Sequence, residues 1–271
     1  MAQLPVASGF LARLAVSRHA DTFVVKGGVL LAAYAIRRPT ADVDVAARDT
    51  PGQLDRIREL VTSIVGEPAE DGIAFDVSTV RAEPIRDEDA NTGIRVTLQA
   101  RLATAVIRFH VDVNVGDPIW PEPEQVRLPR LLEGEITLQG YPLPMVLAEK
   151  IVTAAERGTA NTRWRDLADD IYLLTGTHTL SASIMSQAID TVARHRSVPM
   201  RPLKEIQAGY AALAQPRWAA WRRKQRLDAV LPEQFGDLLT GIWAFTDPLL
   251  SKPRRATWHS ATRTWHLGSP D

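Results

Sequence analysis

Hydrophobic and polar residues alternate in two rhythms along this chain, and the rhythm changes near its midpoint. Residues 7–19 place Phe10, Leu11, Leu14 and Val16 on one broad apolar face, the spacing of a helix. Thr22-Phe23-Val24-Val25 reads as a short strand that runs into Lys26-Gly27-Gly28 and then an apolar helix over 29–36. Asp42-Val43-Asp44-Val45-Ala46 alternates strictly, which predicts a strand with one wet face. An amphipathic helix follows over 51–65, with Pro51 suited to its first turn, and then a short strand over 73–77. Residues 93–101 and 105–115 are two longer strands joined by a tight turn. A proline-rich connector over 117–123 comes next, and beyond Tyr141 the strand signal fades. Helical spacing takes over at 144–157, 161–175, 180–195, 201–214, 217–230 and 232–246. The expected fold class is α+β: an α/β domain over 1–140, a helical domain over 141–250 and a loosely attached tail over 251–271.

Composition narrows the classes. A chain of 271 residues exceeds the usual domain of about 100–150 residues, so one large or two modest domains are expected. Hydrophobic residues at 45% and charged ones at 24% exclude a disordered chain or a fibre. With no cysteine, disulfides, thiol catalysis and Cys-ligated zinc are excluded, and a reducing cytoplasm is the compartment expected. Arginines interrupt the apolar N-terminal stretch, and no apolar run approaches the ~20 residues of a membrane span, so neither a signal peptide nor a membrane partner is expected. Lys+Arg and Asp+Glu balance at 32 each, which taken alone argues against a strongly basic nucleic-acid binder. The balance hides a split: residues 1–135 are acidic by five charges and residues 136–271 are basic by five.

The chemistry concentrates in the first half. A strand delivering Lys26-Gly27-Gly28 into a helix leaves backbone N–H groups free, and the helix dipole favours an anion such as phosphate there. Thirteen residues later, Asp42 and Asp44 occupy alternate strand positions and project together, as on a solvated strand edge or around a divalent cation. Within 107–115, Asp112 shares its polar face with Arg108, His110 and Asn114, while Phe109, Val111, Val113 and Val115 take the other. If that strand lies beside the Asp42–Asp44 strand, three carboxylates converge near the glycines. Such a set can hold two Mg²⁺ ions for an in-line displacement on a nucleotide α-phosphate, with Asp112 able to take the proton of the attacking hydroxyl.

The pattern Gly-Gly, thirteen residues, Asp-Val-Asp, and a later Val-Asp-Val resembles the polymerase-β type of nucleotidyltransferase, and more closely the AbiEii/MenT toxin nucleotidyltransferases. Lys26-Gly27-Gly28, Arg38-Pro39-Thr40-Ala41-Asp42-Val43-Asp44 and the run Val111 to Pro118 match that family's first motifs. A helical lysine paired with an Arg-Asp on the next helix is matched by Lys150 and by Asp166 within 163–174. The resemblance implies a mixed-sheet catalytic domain and Asp42, Asp44 and Asp112 as Mg²⁺ ligands. It further implies Lys26, Gly27, Gly28, Arg38 and Thr40 at the nucleotide, and Lys150 and Asp166 as catalytic partners. It implies NTP as substrate, pyrophosphate as leaving group, the 3′ end of tRNA as acceptor, a block of translation, and a cognate antitoxin.

Some roles stay open at this level. Asp169 shares a helix face with Asp166 and competes for its assignment. Arg38 and Thr40 suit either nucleotide contact or pinning of the following strand. The stretch holding Arg217, Trp218, Trp221, Arg222, Arg223, Lys224 and Arg226 suits either an RNA surface or a helix with inward tryptophans and solvated charges. A small molecule or a protein as acceptor, and a regulatory module that binds NTP or RNA without chemistry, are the alternative functions.

Overall fold

The computed structural model describes residues 3–34, 42–85, 93–130, 134–251 and 255–267, and the chain divides into two units, Met1–Pro142 and Leu143–Asp271. The first unit holds a seven-stranded sheet. Its strands are β1 (Phe23–Lys26), β2 (Val43–Ala47), β3 (Ile73–Ile85), β4 (Gly93–Leu102), β5 (Ala105–Val115), β6 (Glu124–Pro129) and β7 (Glu135–Gly140). They lie in the order β3-β4-β5-β2-β1-β7-β6. The β2–β5 and β1–β7 pairs are parallel and the others antiparallel, so the sheet is mixed.

One face of this sheet is the core. Val43, Val45, Phe109, Val111 and Val113 are buried there, as alternation requires. Helices α1 (Gln3–Val16) and α3 (Leu54–Val65) cover it with Val6, Phe10, Leu14, Ile57, Val61 and Ile64. Phe109 anchors the packing, with ring centroids 5.7 Å from Phe10 and 6.1 Å from Phe75.

The expected strand over 73–77 runs on to Ile85, with a register shift between Asp76 and Arg81. Asp76 causes the break: its Oδ1 accepts from the Ser78 N–H and hydroxyl at 3.1 and 2.6 Å, which bends the strand and destroys the period-two pattern. The hairpin of β6 and β7, buried through Val126, Leu128, Ile136 and Leu138, stands where no strand was read. The apolar helix expected over 29–36 is shorter and starts earlier, as α2 (Gly27–Leu30), followed by hydrogen-bonded turns to Tyr34. Positions 35 and 36 lie outside the described residues.

The second unit is helical with a small sheet. It contains α4 (Leu143–Arg157), a π-helical segment (Asp166–Leu173), α5 (Ala182–Arg196), α6 (Leu203–Ile206), α7 (Tyr210–Lys224) and α8 (Phe235–Ser251). The expected helices over 201–214 and 217–230 are redrawn. The break falls at Gly209, whose φ of +78° suits glycine, while Pro216 lies inside α7.

The tail expected to be loose over 251–271 is corrected for residues 256–267. They form a hairpin of β9 (Ala256–His259) and β10 (Thr264–Leu267) that pairs with β8 (Leu180–Ser181). Trp258 is fully buried, its indole N–H donates to the Thr175 carbonyl at 2.7 Å, and its ring packs edge-on against Phe245 at 5.0 Å. Trp258→Ala should therefore lower the unfolding free energy in urea by about 3–5 kcal/mol. A loss under about 1 kcal/mol, the size of an ordinary surface change, would show that the hairpin is only appended.

Candidate active site

On the sheet face opposite the core, five charged residues stand in one row. Lys26 on β1 is opposite Asp44 on β2, Asp44 opposite Asp112 on β5, Asp112 opposite Arg95 on β4, and Arg95 opposite Glu83 on β3. Directly opposed residues share a face, so the row brings together Lys26, Asp44 and Asp112 from the expected set and adds Arg95. Arg95 grips Asp112 with two parallel bonds, Nε to Oδ1 at 2.7 Å and Nη2 to Oδ2 at 2.6 Å. Those bonds to Asp112, opposed by partial burial, hold the Arg95 pKa above its ordinary value. One rung further along the same face, His110 Nε2 lies 3.1 Å from Asp42 Oδ1.

The glycine step sits against this row. Gly27 has φ +66°, and a Cβ there would lie 2.8 Å from Asp44 Cγ and 2.9 Å from its Cβ. The space left by the missing side chain is therefore filled by the Asp44 carboxylate. With only four residues in α2, few peptide dipoles sum at its start, which weakens the helix-dipole part of the anion reading. Lys26 is buried, its Nζ 3.5 Å from Asp117 Oδ2 and 4.9 Å from the centre of the Tyr141 ring. Arg38 and Thr40 lie outside the described residues.

Mg²⁺ takes oxygen donors; Asp44 and Asp112 offer carboxylates from one face, and Asp42, just before β2, lies beside His110. Among the described residues, no three Asp, Glu or His side chains are gathered closely enough to enclose a metal ion. Both oxygens of Asp112 accept from Arg95. The donors fit the ion in kind, and Asp44 and Asp112 fit it in facing.

In the second unit, Lys150 on α4 reaches two carboxylates, Asp166 Oδ1 at 3.6 Å and Asp170 Oδ2 at 3.5 Å. Arg163 Nε holds the other Asp166 oxygen at 2.7 Å. Burial alone would lower the Lys150 pKa, but Asp166, Asp170 and Glu149 outweigh it and keep the ammonium above its ordinary value. Asp170 is the residue the sequence reading missed. The π-helical turn, wider than an α turn, sets Asp166 and Asp170 on the side of Lys150. Asp169, the expected rival of Asp166, is also buried.

The basic stretch divides. Trp218 is fully buried and donates to the Pro232 carbonyl at 3.2 Å, while half-buried Trp221 stacks on it. Arg222 donates to the carbonyls of Asp228 and Leu231 at 3.2 and 2.9 Å and so secures the loop after α7. Arg217, Arg223, Lys224 and Arg226 are exposed.

Two stability measurements follow from these contacts. Gly27→Ala must displace Asp44 and strain a positive φ, so urea unfolding should show a loss of about 1–3 kcal/mol. Lys150→Met leaves Asp166 and Asp170 buried without their shared cation and should cost about 3–5 kcal/mol at neutral pH. Adding Asp170→Asn should recover part of it at neutral pH. A deficit that Asp170→Asn leaves unchanged would refute the charge account.

A family model described as "Nucleotidyl transferase AbiEii toxin, Type IV TA system" matches residues 9–256. Among solved structures, JHP933 from Helicobacter pylori is 17% identical with a TM-score of 0.42, over 82% of this chain and 93% of that one. A second structure from H. pylori, described as a candidate nucleotidyltransferase, is 16% identical with a TM-score of 0.40, over 81% and 93%. No curated protein matches the sequence significantly. The family match takes in the charged row, the Lys150 cluster and the basic stretch alike, and on it the chain belongs to the AbiEii nucleotidyltransferase toxins of type IV toxin–antitoxin systems.

Proposed function

We propose that this nucleotidyltransferase is a Mg²⁺-dependent cytoplasmic toxin. It transfers an NMP from an NTP to the 3′ end of tRNA, releases pyrophosphate, blocks translation, and is restrained by a cognate antitoxin. The observation that carries the reading is the pairing of Asp44 with Asp112 at one register on parallel strands, with Asp42 beside His110 at 3.1 Å. Family membership supports the NTP substrate and the antitoxin partner.

Asp42, Asp44 and Asp112 are the residues that would hold Mg²⁺, which when bound orients the nucleotide phosphates and offsets the charge that develops on them. The protein's own groups do the rest. Asp112 is the carboxylate proposed to accept the proton of the attacking hydroxyl. The His110 ring, 3.1 Å from Asp42, is proposed to help orient that carboxylate. Lys150, kept cationic by Asp166 and Asp170, is the charge proposed to meet the departing pyrophosphate. Lys26, Gly27, Gly28, Arg38 and Thr40 are proposed at the nucleotide, and Arg217, Arg223, Lys224 and Arg226 at the RNA backbone. Arg222 serves that surface indirectly, by holding its loop.

The test is transfer of label from each NTP in turn to total tRNA, in the presence of Mg²⁺, read on a gel that separates RNA from protein. Labelled tRNA is expected with the native chain, and Asp44→Ala should reduce it about a hundredfold or more, as when one key electrostatic group is removed from a transition state. Arg223→Ala with Lys224→Ala should weaken labelling of tRNA and leave binding of the NTP intact. Label on protein or on a small acceptor, with none on RNA, would replace the tRNA reading.

A further inference from the structure

Arg95 is placed where the proposed chemistry has no obvious use for it. Metal-binding carboxylates need their oxygens accessible, yet both oxygens of Asp112 accept from this guanidinium at 2.7 and 2.6 Å. The Asp112 side chain is 14% exposed and that of Arg95 is 40% exposed, so the acid is enclosed while the base reaches it from the more open side. A planar fork bound to a planar carboxylate fixes both partners, and a lysine could not reproduce that geometry.

The surroundings explain why a cation belongs there. Asp112 stands at the same register as Asp44, and without a compensating charge the two would repel across neighbouring strands. Arg95 cannot slip out of place, because the β4–β5 hairpin pairs Leu102 with Ala105 around a two-residue turn and sets Arg95 opposite Asp112. Only its side chain can move. On its other flank, Glu83 of β3 stands opposite Arg95 at the same register, so a released guanidinium has a second carboxylate in the same row.

We infer that Arg95 is a positioning residue that competes with the divalent ion for Asp112: it neutralises this carboxylate when no metal is bound and yields at least one of its oxygens when metal binds. The inference rests on the Mg²⁺-dependent reading above. Loading is then an exchange of cations on Asp112, and the strength of the fork sets how much metal is needed.

The experiment is titration of the full-length, nucleotide-free chain with Mn²⁺, following the loss of the free-ion paramagnetic signal. Arg95→Gln should bind Mn²⁺ about tenfold more tightly than the native chain, the size of effect that one adjacent cation has on a carboxylate's affinity for a proton. Its metal-free form should melt at a lower temperature, and Mn²⁺ should restore the difference. Arg95→Lys, which keeps the charge and loses the fork, should fall between the two and carries the test if Arg95→Gln does not fold. In an Asp112→Asn background, Arg95→Gln should leave Mn²⁺ affinity unchanged. A purely structural Arg95 would give equal or weaker Mn²⁺ binding in both variants, and that result overturns the inference while leaving the metal reading intact. Absence of Mn²⁺ binding in the native chain and both variants would overturn the metal reading and the inference together.

Discussion

Asp44 and Asp112 are held side by side by strand pairing, and their mutual repulsion is the constraint around which the first unit is arranged. Neighbouring strands run about 4.8 Å apart, and unit charges near 5 Å at an effective dielectric of about 20 repel by about 3 kcal/mol. The opposite face outweighs this. Val43, Val45, Val111 and Val113 are almost completely buried, and each contributes roughly 1.5–3 kcal/mol relative to exposure. The same pairing that drives those valines into the core therefore forces the carboxylates together on the other side. Arg95 forked on Asp112 relieves the strain at one end, and at the other Lys26 closes the row, its ammonium also drawn to Asp117.

Strict alternation made the wet faces of β2 and β5 legible, since a period of two survives any change in what a strand pairs with. The pairing of those two strands was legible only as a condition. They are parallel and their paired residues lie 68 apart in sequence, with no turn to announce their contact. Arg95 was within reach and was passed over. The two-residue turn at Ala103-Thr104 fixes the hairpin register, and counting back from it sets Arg95 against Asp112. The extension of β3 was hidden by Asp76, whose side chain competes with the ladder for hydrogen bonds. The β6–β7 hairpin was hidden because prolines crowd its approach and its buried positions number only two or three per strand.

Helical spacing misjudged the second cluster for a different reason. Neighbours at i+3 and i+4 share a helix face, and the i+3 residue Asp169 was taken as the rival of Asp166, whereas Asp170, at i+4, is the second partner of Lys150. A buried ammonium between two carboxylates is stable only as a complete set, because each group left alone would be a charge without water. Arg163 completes it by taking the far oxygen of Asp166. The tryptophans of the basic stretch show the same priority of packing over surface. Trp218 is committed to the core, which leaves the stretch mainly its outward charges.

The small sheet of the second unit joins the chain across a long interval. Residues 180–181 find their strand partner only at 257–258, after α5, α6, α7 and α8 have intervened. Contacts so distant in sequence form slowly, because the entropy of closing the loop is lost before the pairing returns anything. During synthesis, the Thr175 carbonyl must wait 83 residues, and Leu180 of β8 must wait 78, before Trp258 arrives to cover them. The helices of this unit can form as they emerge, but its core is sealed by the last described hairpin, which sets a temporal order on its folding that the finished structure no longer displays.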